Sequence, residues 1–125
     1  MKITKQESFK ISAKGSHGPN MKVRINGEEI YSTVVNNTEY QTFTINHEIS
    51  SGILDIVFDN DFYDKSTGED RNLYVDYVQI GSRKITSRQM VFDRGTDESA
   101  FDCENTENVS QKLIVNGALR LKLET

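Results

Sequence analysis

Hydrophobic residues recur at every second position along most of this chain, and no other feature limits its fold as strongly. Met21, Val23 and Ile25 alternate with Lys22, Arg24 and Asn26. Leu54, Ile56 and Phe58 alternate with Asp55 and Val57, and Leu119, Leu121 and Leu123 with Arg120, Lys122 and Glu124. Successive side chains of a strand point to opposite faces, so this pattern fits strands with one face in a core and one in water. Asn26-Gly27 and Asn116-Gly117 lie between such runs, and Asn-Gly is the strongest short hairpin signal because both residues tolerate positive φ. Ile80-Gly81-Ser82-Arg83 reads as a further tight turn. No stretch of about ten residues carries the helical period. The strands expected are 7–14, 20–26, 29–35, 40–46, 52–59, 72–80, 83–86, 89–93 and 118–124.

Many short antiparallel strands with frequent turns predict an all-β chain, a sandwich or a barrel. A doubly wound fold needs crossover helices, which are missing. With 125 residues the chain has the length of a single domain, 1–125, able to bury a core without a disulfide. Segment 94–112 is polar and aperiodic and reads as a long surface loop anchored by Phe101.

The net charge is −4, and no basic patch stands out, which argues against nucleic acid. No apolar run is long enough to span a bilayer, and the residues after Met1 lack a signal-peptide core. The chain is then cytoplasmic or, the reading adopted, a secreted or cell-surface domain of a larger exported protein. His17 and His47 lie in loop positions far apart in sequence and read as surface residues. Cys103 sits between Asp102 and Glu104, whose charge raises a thiol pKa, so it reads as a free or partly buried thiol rather than a nucleophile. No zinc cluster, phosphate-binding glycine loop or nucleophile elbow is present, and the chain is read as a non-enzyme.

The negative charge is concentrated in one connection. Asp59, Asp61, Asp64, Glu69 and Asp70 fall within twelve positions, countered only by Lys65 and then Arg71. Clustered carboxylates repel, and a hard divalent cation removes that repulsion. Calcium takes about six to eight oxygens from carboxylates, amides, backbone carbonyls and water, and Asn60 and Asn72 add amide oxygens. The absence of His and Cys disfavours zinc and copper. The spacing is not that of an EF-hand, since Tyr63 and Asp64 stand at its fifth and sixth positions counted from Asp59. Composition leaves two readings open: a calcium-type site, and a solvated acidic loop that binds nothing.

The stretch Phe58-Asp59-Asn60-Asp61-Phe62-Tyr63-Asp64, followed by Gly68-Glu69-Asp70-Arg71-Asn72-Leu73-Tyr74-Val75-Asp76-Tyr77, resembles the signature of family 60 carbohydrate-binding modules. Those modules are calcium-dependent xylan binders related to family 36 modules by circular permutation. Tyr40-Gln41-Thr42-Phe43, Asp93-Arg94-Gly95-Thr96, Ala100-Phe101-Asp102 and the Asn116-Gly117 ending fit the same layout.

The resemblance implies an antiparallel β-sandwich of jelly-roll type without catalytic activity. It also implies a Ca2+ ion with open coordination that two vicinal sugar hydroxyls complete. The metal ligands it implies are Asn60, Asp61, Asp70, the carbonyl of Arg71, and Asn72. Tyr63, Asp64, Phe62 and Glu69 are the expected carbohydrate contacts, with Asp59 as field-setting charge. Arg71 is expected to pair with a nearby acid, and Tyr74 and Tyr77 to face opposite sides of one strand because their spacing is odd. The implied partner is xylan or another glycan with vicinal diols, with no membrane or nucleic acid. The parent would be a glycoside hydrolase or a cell-surface protein. Two departures stand out: Cys103 is alone, with Val115 about where the family's second cysteine falls, and there is no tryptophan. The alternative reading is a structural or adhesive sandwich, self-associating, with calcium in a purely structural role.

Overall fold

The computed structural model describes residues 2–93, 106–107, 112–113 and 117–124, and the structural statements below concern these residues. They form strands β1 (Phe9–Ser16), β2 (Asn20–Ile25), β3 (Glu28–Val34), β4 (Gln41–Ile45), β5 (Gly52–Phe58) and β6 (Phe62–Asp64). There follow β7 (Glu69–Ile80), β8 (Arg83–Thr86), β9 (Val91–Asp93), β10 (Thr106–Glu107), β11 (Lys112–Leu113) and β12 (Gly117–Leu123). The only helical turn among them is a 3-10 turn at Ser87–Gln89.

Two antiparallel sheets make a β-sandwich. In the first, β11, β7, β1 and β4 are neighbours in that order, and β6 and β8 also pair with β7. In the second the order is β10, β9, β12, β5, β2, β3. The alternating apolar residues of both sheets meet between them. Phe9, Ile11 and Ala13 of β1 and Leu73, Val75 and Val78 of β7 face Met21 and Val23 of β2, Leu54, Ile56 and Phe58 of β5, and Leu119 and Leu121 of β12. Burying each large side chain contributes about 1.5–3 kcal/mol before entropy opposes it. That core holds the strand ends, and hence the acidic connection, in fixed relation.

Asn26-Gly27 makes a two-residue turn between β2 and β3, with φ of 53° and 81°, the positive values a type I′ hairpin requires. Gly81-Ser82 turns β7 into β8, with Gly81 at φ 62°.

Several expectations need correction. The hairpin expected at Asn116-Gly117 is not formed by the strands on either side: β11 pairs with β7 in the first sheet and β12 with β5 and β9 in the second, and Asn116 itself lies outside the described residues. Segment 94–112 is not all loop, since β10 pairs with β9. Phe101 and Cys103 lie outside the described residues. The expected strand 89–93 begins as the end of the 3-10 turn, and strand pairing starts only at Val91. β1 runs to Ser16 rather than ending at residue 14.

Tyr74 and Tyr77 do not face opposite sides. Ser12 lies opposite Tyr77 and Ala13 opposite Val75, so Asp76 is an extra residue in β7, a β-bulge. The bulge resets the alternation: Leu73, Val75, Val78 and Ile80 are buried, while Tyr74 and Tyr77 both lie on the outer face.

Alternation also predicts solvent for Asp55 and Arg120. Both are buried instead, at 0% and 1% exposure, and paired across β5 and β12 with Arg120 Nε 2.8 Å from Asp55 Oδ1. Burial makes the pair necessary, because neither charge could be left alone there.

Candidate functional site

The acidic connection is built from three segments rather than two. Asp59–Asp61 leaves β5. The β6–β7 hairpin pairs Phe62 with Arg71, Tyr63 with Asp70 and Asp64 with Glu69. The third wall is the β1–β2 loop, Ser16–Asn20, in which His17 and Gly18 take φ of 61° and 70°.

The hairpin tip is an ordered turn. Asp64 Oδ1 accepts from the Ser66 amide at 2.9 Å and the Ser66 hydroxyl at 2.7 Å, an Asx-type turn. These bonds from Ser66 hold the Asp64 carboxyl below the usual aspartate range. Gly68, at φ 74°, donates to the Asp64 carbonyl and closes the loop.

Arg71 ties the three segments together. Its Nε donates to the His17 carbonyl at 2.8 Å and Nη1 to the Asn60 carbonyl at 3.0 Å, while the guanidinium lies 5.3 Å from the centre of the Phe62 ring. Its hydrogen-bond partners are thus backbone carbonyls, not the acid expected of it, because the β1–β2 loop turns its carbonyls toward this arm. Asn60 is bound to the same loop, Oδ1 accepting from the Asn20 amide at 2.8 Å and Nδ2 reaching the Gly18 carbonyl at 3.4 Å. An amide oxygen has a second lone pair, so this contact leaves room for a further partner.

Asp59 points toward β2. It meets Lys22 Nζ at 2.7 Å and Asn20 Nδ2 at 3.1 Å. Partial burial pushes its carboxyl up, but the hydrogen bonds from Lys22 and Asn20 and the lysine charge outweigh it and hold the pKa below the ordinary value. The same pairing raises Lys22.

Ser16 bridges β1 to the motif: its hydroxyl donates to the Asp70 carbonyl at 3.0 Å and accepts from the Asn72 amide at 3.2 Å. Asn72 is buried, with 4% exposure. Its Nδ2 reaches the Asp70 carbonyl at 3.5 Å, while Oδ1 is buried with no hydrogen-bond partner. A buried acceptor without a partner costs about 1–3 kcal/mol. One step beyond the Phe62–Arg71 pair, Asp61 comes level with Asn72.

Among the described residues no three His, Cys, Asp or Glu side chains cluster closely enough to hold a metal ion. A cation here would need amide and backbone oxygens beside the carboxylates. Asn72 Oδ1 fits that donor chemistry, and hard oxygen donors suit calcium.

Of the expected carbohydrate contacts, Tyr63 stands furthest into solvent, at 64% exposure. Phe62 carries the Arg71 guanidinium, Asp64 serves its own turn, and Glu69 Oε1 lies 3.2 Å from His17 Nδ1. Ser16, His17, Gly18 and Asn20 were not among the residues the sequence pointed to. Ser-His-Gly-Pro-Asn carries a turn signal, but nothing in it shows contact with a motif some forty to fifty residues on.

The sequence profile of the CBM60 family, described as a Ca-dependent carbohydrate-binding module, xylan-binding, matches residues 8–93. The chain belongs to this family. The match takes in the hairpin, Asp59–Asp61 and the β1–β2 loop, so every wall of the site lies within the CBM60 region. Two solved structures share the fold of this CBM60 chain. One is vCBM60 in complex with galactobiose, with TM-score 0.69 and 21% identity over 92% of this chain and 97% of that one. The other is a selenomethionine form of vCBM60, described as linking two families of calcium-dependent carbohydrate binding modules by circular permutation. It gives TM-score 0.70 and 21% identity over 95% of this chain and 91% of that one. No curated protein sequence matches the chain.

Proposed function

We propose that this carbohydrate-binding module holds polysaccharide at the end of the sandwich formed by Asp59–Asp61, the β6–β7 hairpin and the Ser16–Asn20 loop, with calcium as cofactor. The observation that carries the calcium reading is the buried, unpartnered Oδ1 of Asn72 in a connection dense with oxygen donors. Asn60, Asp61, Asp70, the Arg71 carbonyl and Asn72 would hold the ion. Bound calcium supplies a charged, oxygen-seeking centre to which a neutral vicinal diol can bind.

The chain's own residues do the rest. Arg71, Ser16 and Asn60 lock the three segments, so little ordering remains when ligand arrives. Tyr63 offers an exposed ring to a sugar face, with Phe62 beside it. Asp64 and Glu69 contribute negative charge at the rim. A module of the same fold is described with galactobiose, which supports a glycan ligand, and the family description supports xylan-like chains. The module acts without catalysis, as one part of an exported glycan-degrading or cell-surface protein.

The density of cross-links favours a second reading, in which calcium only rigidifies this end. Affinity electrophoresis on neutral plant and microbial polysaccharides, with calcium, separates the two. Retarded migration that Asp61→Ala abolishes supports glycan binding at this site. Calcium-dependent thermal stabilisation with no retardation on any glycan supports the structural role.

A further inference from the structure

The bulge at Asp76 does more than reset a strand. By placing Tyr74 and Tyr77 on one side of β7, it builds an aromatic row on the outer face of the first sheet. Tyr40, exposed at the start of β4, joins it. Each ring carries an ammonium group. Lys14 Nζ lies 4.7 Å from the Tyr40 ring centre and 5.1 Å from that of Tyr74, bridging the two. Lys84 Nζ lies 4.3 Å from the Tyr77 ring. Lys10 is exposed two alternations from Lys14 along β1, opposite Gln79.

The charge of this face runs against that of the chain. The molecule is net negative, and five of its 19 carboxylates crowd the acidic connection. Here three lysines share a face on which Asp76 is the one carboxylate of β7 between Asn72 and Ile80. Beside the rings the same face presents Thr42 and Thr44 of β4 and Gln79 of β7. A protein interface core wants aliphatic and aromatic residues depleted of charge. This surface instead combines phenol rings, hydroxyls and ammonium groups, and no Leu, Ile or Val of these strands is exposed on it.

We propose that this outer face is a second glycan-binding surface that takes acidic polysaccharide, a chain bearing uronic acid carboxylates. The uronate carboxylate meets the ammonium held at a tyrosine ring, and the pyranose C–H groups pack on the part of the ring that the lysine leaves uncovered. The surface needs no cation, because Lys10, Lys14 and Lys84 supply the positive charge. It is independent of the calcium reading above.

The test is affinity electrophoresis of the full chain in gels containing a glucuronic-acid-bearing xylan, or the same polysaccharide after carboxyl reduction, both with chelator present. The proposal expects retardation in the acidic gel despite chelator, weakened by rising salt. It expects retention about tenfold weaker after carboxyl reduction and in the double variant Lys14→Gln with Lys84→Gln. Tyr40→Ala, at an exposed position, is expected to weaken acidic retention also, and it decides the matter should the lysine variant fold poorly. Three results would overturn the proposal: no retardation in chelator, equal retardation by both polysaccharides, or a folded lysine variant retarded like its parent. Migration that tracks protein concentration rather than polysaccharide would assign the face to contact between copies and overturn it as well. Binding of neutral xylan in calcium bears only on the acidic connection, so the two readings fail separately.

Discussion

Asn72 and Asp59 show what single residues contribute at this end of the sandwich. Asn72 sits in a strand with its amide nitrogen near a carbonyl and its oxygen unmatched, a cost that the proposed calcium would remove. Asn72→Ala is therefore expected to cost little stability in chelator, because it removes the unmatched acceptor. With calcium, its melting temperature should rise less than the parent's. Equal calcium shifts in parent and variant would remove Asn72 from the ligand set. Asp59 reads differently from its neighbours because Lys22 holds it. Its folded pKa is depressed, so its contribution to stability is present above about pH 3.9, the unfolded value, and is lost as pH falls through the folded one. Lys22 is raised, so its contribution holds below its unfolded pKa and is lost as pH climbs through the folded one. In calcium-free buffer, an NMR titration of Asp59 should give a midpoint below that of an ordinary aspartate. Lys22→Met should move the midpoint upward. The sequence showed Asp59 as one acid among five; that it faces β2 rather than the hairpin depends on a strand 37 residues away, which no local pattern records.

At the level of elements, alternation and turn chemistry were legible where the partner strand is next in sequence. Asn26-Gly27 and Gly81-Ser82 close hairpins whose geometry the residues themselves demand. Two of the expectations that failed depended on a distant partner. Asn116-Gly117 carries the same signal, yet its flanking strands go to different sheets. The outward placement of both Tyr74 and Tyr77 follows from one bulged residue, which a strict period of two cannot register. The β6–β7 hairpin was hidden because Phe62–Asp64 is too short to show alternation. Its turn makes a sharp prediction. Gly68 has φ 74°, and a Cβ there meets nothing within 4 Å, so strain comes from the backbone alone. Gly68→Ala should destabilise by about 1 kcal/mol and Gly68→Asn by less, read from denaturant midpoints. Equal, negligible effects would mean the tip adjusts its φ without cost.

For the molecule as a whole, the sandwich is readable because the core faces of β2 and β12, and of β7 on either side of its bulge, follow the alternation. What escaped is the second face. Asp55 and Arg120 look like solvent positions in their strands, yet both are buried and paired. Truncating Arg120 takes away a buried cation that Asp55 pairs with, so Arg120→Ala should cost about 3–5 kcal/mol in unfolding free energy. Replacing both partners by apolar residues should recover much of that loss. A cost below about 1 kcal/mol for the single change would show that Asp55 finds another cation or water on unpairing. The acidic connection of the proposed site stands out in composition, but its construction does not, because the β1–β2 loop that braces it is contributed from far away in the chain. Calorimetric titration of the module with a neutral xylan oligosaccharide, in calcium, after chelation, and after calcium is restored, tests the central claim most directly. Binding heat is expected in calcium, none after chelation, and its return on re-addition; heat that chelation leaves unchanged would contradict a calcium-bridged contact with the glycan.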